Sequence, residues 1–288
     1  MSADADLLYL LQYAETTARL AGEYARRAVG AAHAIRHKTT RQDLVTEVDT
    51  ALEEQIVTRL RAAFPAIGVY GEEGSRVEGE SGLTWQIDPI DGTTNFAHGM
   101  SPWAVSIGLR DAGGPLLGVI FDPMRDEMFG AMRGAGAALN GAPIHVSGTA
   151  DLRDALLSTG FPSDRHTARD NNVPAFAAFS RRAGSVRRLG AATLDLAYLA
   201  AGRLDGYWEM RAHAWDVCAG LVLVAEAGGR VTDYAGGPPG ERVYAGEHLV
   251  ASNGYVHDEM LAVLADLYEL SGDGGFRLRD AYAPSGLP

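Results

Sequence analysis

Residues 85–96 read WQIDPIDGTTNF. Only a proline and an isoleucine separate Asp88 from Asp91, and a glycine, two threonines and an asparagine follow. Two carboxylates this close repel each other and each prefers water, so the pairing needs a reason. The plain reason is a solvated turn, since Asp, Pro, Gly and Asn are ordinary turn formers. The sharper reason is a cation between them. On that reading Asp88-Pro89-Ile90-Asp91 is a tight turn leaving the strand LTWQI, with Pro89 at its second position and the carboxylates at its ends. The carbonyl of Ile90 could face the same point. Such a set of hard oxygen donors, without sulfur or imidazole, suits Mg2+ or Mn2+ rather than zinc. Gly92 would let the backbone approach a ligand closely. Thr93, Thr94 and Asn95 would open a helix whose free N–H groups hold a phosphate.

Around this stretch the period of the sequence is that of strands: GLTWQID, SPWAVSIGLRD, GPLLGVIFDP and DEMFGAMRG, punctuated by Gly, Pro and Asp. Upstream the period is helical. Leu7, Leu11, Ala14, Ala18 and Ala21 mark one face over the first 30 residues, and Leu52, Ile56 and Leu60 mark another over residues 50–64, where Thr50 and Glu53 form a capping-box pattern. Residues 1–145 therefore predict helices packed on a largely antiparallel sheet, joined to a second half through LNGAPIHVSGTADL. Residues 146–270 alternate. Strands are expected at DALLSTG, SVRRLG, DGYWEM and RVTDY, and helices at 169–182, TLDLAYLAAG ending at Gly202, and WDVCAGLVLVAEAGG stopped by Gly228-Gly229. That alternation predicts an α/β layer. Residues 271–288 show no clear period and read as a partly disordered tail.

The chain has 288 residues, 47% of them hydrophobic and 22% charged, enough for a large core. Its longest apolar runs fall short of a membrane span. The opening MSADADLL is acidic, unlike a secretory signal. The single cysteine, Cys218, fits a reducing cytoplasm. The formal net charge of -12 disfavours nonspecific binding to nucleic acid or anionic membrane, and also an anionic substrate unless cations reverse the potential locally.

Three further acidic stretches bear on the cation reading. GEEG places Glu72 and Glu73 in a glycine-bracketed loop, otherwise a solvated acidic loop. DLVTEVD places Asp43 and Asp49 before the second helix, where Asp49 alone reads as a helix-start residue. HAWDVCAG places Asp216 at the start of an apolar helix, where an N-cap is the default. With WQIDPIDGTTNF and RLGAATLDLAYLAAGRLDGYWE (188–209), these segments resemble, in order and spacing, the inositol monophosphatase family of Mg2+-dependent, lithium-sensitive phosphatases. The resemblance runs over residues 5–265 and is to the bacterial inositol-1-monophosphatase branch.

The resemblance implies an α+β, α/β fold: a layered αβαβα sandwich, usually a homodimer. It implies that Glu72, Asp88 and the Ile90 carbonyl bind one metal, that Asp88, Asp91 and Asp216 bind a second, and that Glu72 with waters holds a weaker third. Asp49 and Thr93 would orient the attacking water. Gly92, Thr93 and Thr94 would contact the phosphate. Glu209 and Gly190-Ala191-Ala192, with Asp216 alongside, would contact the alcohol. The cofactor would be two to three Mg2+ ions, with Mn2+ an alternative and Li+ and Ca2+ inhibitory. Lys38 lies where the family often has a lysine near the site. Cys218 reads as a packed small residue and His213 as a residue behind the ligands.

The implied substrate is an inositol monophosphate or a similar small polyol or sugar phosphate. Relatives within the fold hydrolyse fructose 1,6-bisphosphate, histidinol phosphate or 3′-phosphoadenosine phosphates. Arg187, Arg188 and Arg211 read either as a contact for a second phosphate or as a solvated basic patch. Some bacterial relatives also bind the transcription machinery, and the same arginines would then meet protein or RNA. That regulatory reading is the alternative of another class, and contact with polymerase or nucleic acid is the less favoured one.

Overall fold

The computed structural model describes residues 3–29, 36–37, 44–45 and 47–283. Lys38 and Asp43 lie outside the described residues. Eight helices are described: α1 (Ala3–Ala28), α2 (Glu47–Ala63), α3 (Thr93–Ala97), α4 (Val173–Arg182), α5 (Ala192–Ala200), α6 (Ala214–Glu226), α7 (Glu241–Tyr244) and α8 (His257–Leu267). A two-stranded ribbon, β1 (Arg36–His37) with β2 (Leu44–Val45), precedes α2.

The first large sheet holds β3 (Gly68–Gly71), β4 (Arg76–Val77), β5 (Thr84–Asp91), β6 (Ala104–Asp111), β7 (Gly114–Asp122), β8 (Glu127–Met132), β9 (Gly136–Leu139) and β10 (Ala142–Pro143). Its order is β10-β9-β8-β7-β6-β5-β3-β4, antiparallel throughout except that β3 runs parallel to β5. The second sheet holds β11 (Leu156–Thr159), β12 (Ser185–Arg187), β13 (Gly206–Glu209), β14 (Arg230–Thr232) and β15 (Leu249–Ser252). Its order is β12-β11-β13-β15-β14, with β12, β11 and β13 parallel and β15 antiparallel to both its neighbours.

The helices complete five layers. α1 and α2 pack on one face of the first sheet, α5 and α6 fill the space between the sheets, and α4 and α8 cover the far face of the second. This is an αβαβα arrangement. It explains why α6 is apolar all round: Val217 to Val224 are buried without a break, because both sheets press on it. It also explains why β6 buries six consecutive residues instead of alternate ones. α1 is one-sided, with Leu10, Ala14, Ala18, Ala21 and Ala25 buried; Leu7 and Leu11 only flank that face.

Several expectations are corrected. α2 begins at Glu47, so Thr50 lies inside the helix and Thr50 and Glu53 form no capping box. The expected turn at DPID is strand: β5 continues through Asp88 to Asp91, and the register with β6 slips between them. Pro89 falls in that slip, where its missing N–H costs no ladder bond. The helix expected at 169–182 starts at Val173. The stretch read as a tail carries β17 (Phe276–Leu278), paired with β16 (Tyr268–Leu270), and buries Leu278 in the core beside α8.

Candidate functional site

The slip in β5 gathers the site. Asp88, Ile90 and Asp91 are buried at the strand's end. The Ile90 N–H donates to Asp88 Oδ1 at 3.0 Å, which fixes that carboxylate. Gly92 follows with φ 93°, a left-handed conformation that suits glycine, and α3 starts at Thr93. A Cβ on Gly92 would lie 3.1 Å from the Pro102 carbonyl oxygen and 3.2 Å from that of Gly190, so the chain is tightly threaded here. The side-chain amide of Asn95 donates to the Pro102 and Leu189 carbonyls at 2.7 and 2.9 Å. That ties α3 to the 189–192 segment.

Asp91 is held from α5: its Oδ2 accepts the Thr193 N–H at 2.7 Å and the Thr193 hydroxyl at 2.5 Å. This is a bond from a carboxylate to the start of a helix, favourable on charge as well as geometry. Asp49 on α2 is fully buried, and its Oδ1 lies 3.1 Å from Thr93 Oγ1, which is also 3.1 Å from the Ile90 carbonyl oxygen. The one hydroxyl proton serves one of these acceptors at a time. Glu72, in the loop between β3 and β4, has its N–H bonded to the Ile87 carbonyl at 3.0 Å, beside Asp88. Asp216 is the third residue of α6, not its N-cap; its Oδ2 accepts the N–H of His213, which occupies the N-cap position, at 2.7 Å. His213 itself stacks on Trp215.

The electrostatics separate this region from an ordinary turn. Burial drives Asp88 well above the usual carboxylate range, and Glu72, Asp91 and Asp216 each push it further. Burial carries Asp91 to about 6, against the bonds from Thr193 that pull it down. Glu209, the last residue of β13, is 8% exposed. Burial raises it well above normal, and Asp216, Asp195 and Asp91 add to the rise. Its Oε2 accepts the Tyr207 hydroxyl. A cleft of about 330 Å³ is lined by Glu72, Glu209, Asp216, Arg211, Trp215 and Phe161.

Among the described residues no three His, Cys, Asp or Glu side chains are drawn together as finished ligands of one ion. The donor chemistry nonetheless fits a hard cation. Glu72, Asp88, Asp91 and Asp216 interact, all are oxygen donors, and the largest influences on Asp88 all oppose its charge.

Sequence reading missed several participants. Thr193, one residue past the expected 190–192 segment, carries the bonds to Asp91. Asp195 is buried on α5, raised by burial and further by Asp91. Glu53 is buried under the Glu72 loop. Each is linked to the site across 20 or more residues, beyond any local pattern. The three arginines part company. Arg187 donates to Ser185 and to the Val186 carbonyl. Arg211 lines the cleft but is paired with Asp164 at 2.6 and 3.0 Å and donates to the Asp170 carbonyl. Arg188 acts on Asp195 and Glu209, lowering both.

Residues 6–269 match the profile of the inositol monophosphatase family. The chain belongs to that family. It is 44% identical over 250 residues to Nus factor SuhB of Pseudomonas aeruginosa, covering 85% of this chain and 91% of that protein. It is 40% identical over 261 residues to inositol-1-monophosphatase of Synechocystis, covering 90% of each. Among solved structures, inositol monophosphatase from Anabaena superposes with a TM-score of 0.81 at 38% identity, covering 91% of this chain and 97% of that one. No helix among the described residues is long and apolar enough to cross a membrane.

Proposed function

We propose that the protein is a Mg2+-dependent phosphomonoesterase acting on an inositol monophosphate or a similar small polyol phosphate. The observation that carries this reading is the mutual electrostatic strain of Glu72, Asp88, Asp91 and Asp216 beside the cleft. Those four carboxylates and the Ile90 carbonyl would hold two to three Mg2+ ions. When bound, the metal supplies positive charge for the phosphate dianion and for the departing alkoxide. Mn2+ would serve as a substitute. Ca2+, with its longer and looser coordination, would inhibit, as would Li+ on family grounds.

The chain's own groups would do the rest. The Thr93 hydroxyl, backed by Asp49, orients a water for attack on phosphorus. The proton of that water leaves through Thr93 Oγ1 to Asp49 Oδ1. The P–O ester bond breaks as the new P–O bond forms, and the alkoxide leaves on the Glu209 side, taking a proton from solvent while Asp49 returns its own to solvent. Backbone groups of Gly92, Thr93 and Thr94 position the phosphate, and Gly190, Ala191 and Ala192 border the alcohol. Glu209 accepts hydrogen bonds from its hydroxyls. Arg211 is already paired with Asp164, which favours a monophosphate over a bisphosphate such as fructose 1,6-bisphosphate. Family membership favours a cytoplasmic homodimer. A second reading, a regulator bound to the transcription machinery, is supported by the name Nus factor carried by the relative from P. aeruginosa.

One experiment covers metal and substrate class: phosphate release by wild type and Glu209→Gln, from inositol 1-phosphate and p-nitrophenyl phosphate, in Mg2+ and in excess EDTA. Loss of charge-assisted bonds worth roughly 1.5–3 kcal/mol predicts about a tenfold or greater fall in kcat/KM for Glu209→Gln on inositol 1-phosphate alone. EDTA should abolish all turnover. Full activity in EDTA defeats the metal reading, equal losses on both esters defeat the polyol reading, and an inactive protein that copurifies with polymerase favours the regulator.

A further inference from the structure

Glu53 sits in the middle of α2 and is 2% exposed. A buried carboxylate there needs partners, and it finds two, both backbone amides of the loop that carries Glu72. Oε2 accepts the Glu73 N–H at 2.7 Å and Oε1 accepts the Ser75 N–H at 2.8 Å. The remaining amides of the loop are also committed. Gly71 donates to the Ser75 carbonyl, Glu72 to Ile87, and Gly74 to Gly71 at 3.4 Å. Arg76 holds the carbonyl side of the loop, donating to the Gly71 and Ser75 oxygens. The loop is thus gripped by an anion on its N–H side and a cation on its C=O side. The fit on the anion side is close: a Cβ on Gly71 would overlap the Glu53 carboxylate.

Asp49 lies one helical turn before Glu53, on the same side of α2. Asp49 reaches Thr93 Oγ1 at the start of α3, just past β5, while Glu53 reaches the loop. One rigid helix therefore touches both arms of the carboxylate cluster.

We infer that Glu53 is a positioning residue, whose carboxylate holds the Glu72 loop against α2 so that one helix fixes the spacing between the loop and the Asp88–Thr93 segment. This rests on the proposed function for its consequence, though not for its geometry. Two converging N–H donors need two acceptor oxygens. Glutamine keeps the shape but supplies one oxygen and one NH2, so one amide would face a donor. A residue that merely supports the fold would show its loss in melting temperature alone. A positioning residue should show it in loop protection and in cation affinity.

The test is Glu53→Gln, purified as the full chain and stripped of metal. Amide hydrogen exchange at Glu73 and Ser75 should accelerate about tenfold or more, while exchange in α6 stays unchanged. Calorimetric titration with Mg2+ should show affinity reduced by about tenfold. In turnover the Mg2+ concentration for half-maximal rate should rise by a similar factor, with most of kcat recovered at saturation. Gly71→Ala, which crowds the carboxylate from the loop side, should reproduce these changes and serves if Glu53→Gln does not fold. Unaltered exchange at the two amides, or unaltered Mg2+ affinity in a folded variant of a wild type that binds Mg2+, overturns the inference. A wild type that binds no Mg2+ overturns the proposed function instead, and the exchange measurement still decides the role of Glu53.

Discussion

Two buried polar clusters in this molecule behave oppositely. Around His257 every proton has a place. Nδ1 lies 2.8 Å from Ser252 Oγ and Nε2 lies 2.9 Å from Thr232 Oγ1. The Thr232 hydroxyl donates to the Asp233 carbonyl, so it accepts from Nε2–H; the Gly254 N–H donates to Ser252 Oγ, whose proton goes to Nδ1. The neutral ring closes the chain, and burial with help from Arg230 lowers its pKa to about 4. Around Asp88 and Asp91 the neighbours are further carboxylates, and burial raises both pKa values. A closed network of hydrogen bonds stabilises the fold and needs nothing from outside. A cluster of like charges costs stability until protons or a cation balance it. The difference assigns the first cluster to structure and, on our reading, the second to chemistry.

Substituting one residue in each cluster probes that contrast. Asp91→Asn should reduce kcat by at least about a hundredfold, as removal of one strong electrostatic contact does. The metal-free protein should melt no lower than wild type, because the change removes an unbalanced buried charge. Steady-state phosphate release and a thermal melt in EDTA check both halves. Near-normal turnover at saturating Mg2+ would remove Asp91 from the site.

The His257 cluster should respond to acid with a definite sign. Its folded pKa of about 4 lies below the ordinary value of 6.5, so between those values the unfolded chain binds more protons. The stability that His257 contributes is complete above pH 6.5 and is lost as pH falls towards 4. Asp91, raised to about 6, acts in the opposite sense over part of that window, so the wild-type curve mixes the two. Urea unfolding of wild type and His257→Gln separates them. The cost of the substitution should be smaller at pH 4.5 than at pH 7 by on the order of 2 kcal/mol. An equal cost at both values would mean that the ring is not held neutral.

How much of this is legible in the sequence depends on the range of the interaction. The five acidic motifs can be read because each is local, and their order carries the family. The apolar faces of α1 and α2, and the strands β6 to β8, can be read because a period of 3.6 or 2 is local too. DPID reads as a turn in the sequence because Pro89 and two aspartates are turn chemistry wherever they occur. Only pairing with β6, 13 to 18 residues downstream, makes the segment a strand with a slip. Glu53 is hidden for the same reason: Thr50 three residues earlier matches a capping box, whereas the partners of Glu53 lie 20 and 22 residues downstream. The hairpin of β16 and β17 joins short segments with no repeat to announce them, and it is fixed by burial of Leu278.

The central claim, that the carboxylate cluster is completed by a cation, is tested most directly by melting the metal-free protein with and without Mg2+ at pH 7.5. At about ten times the dissociation constant, binding to the folded state alone adds about 1.4 kcal/mol. For a chain of this size that is a rise of about 2–6 °C. The account predicts such a rise in wild type and little or none in Asp91→Asn. The same rise in both proteins, or none in wild type, would contradict it.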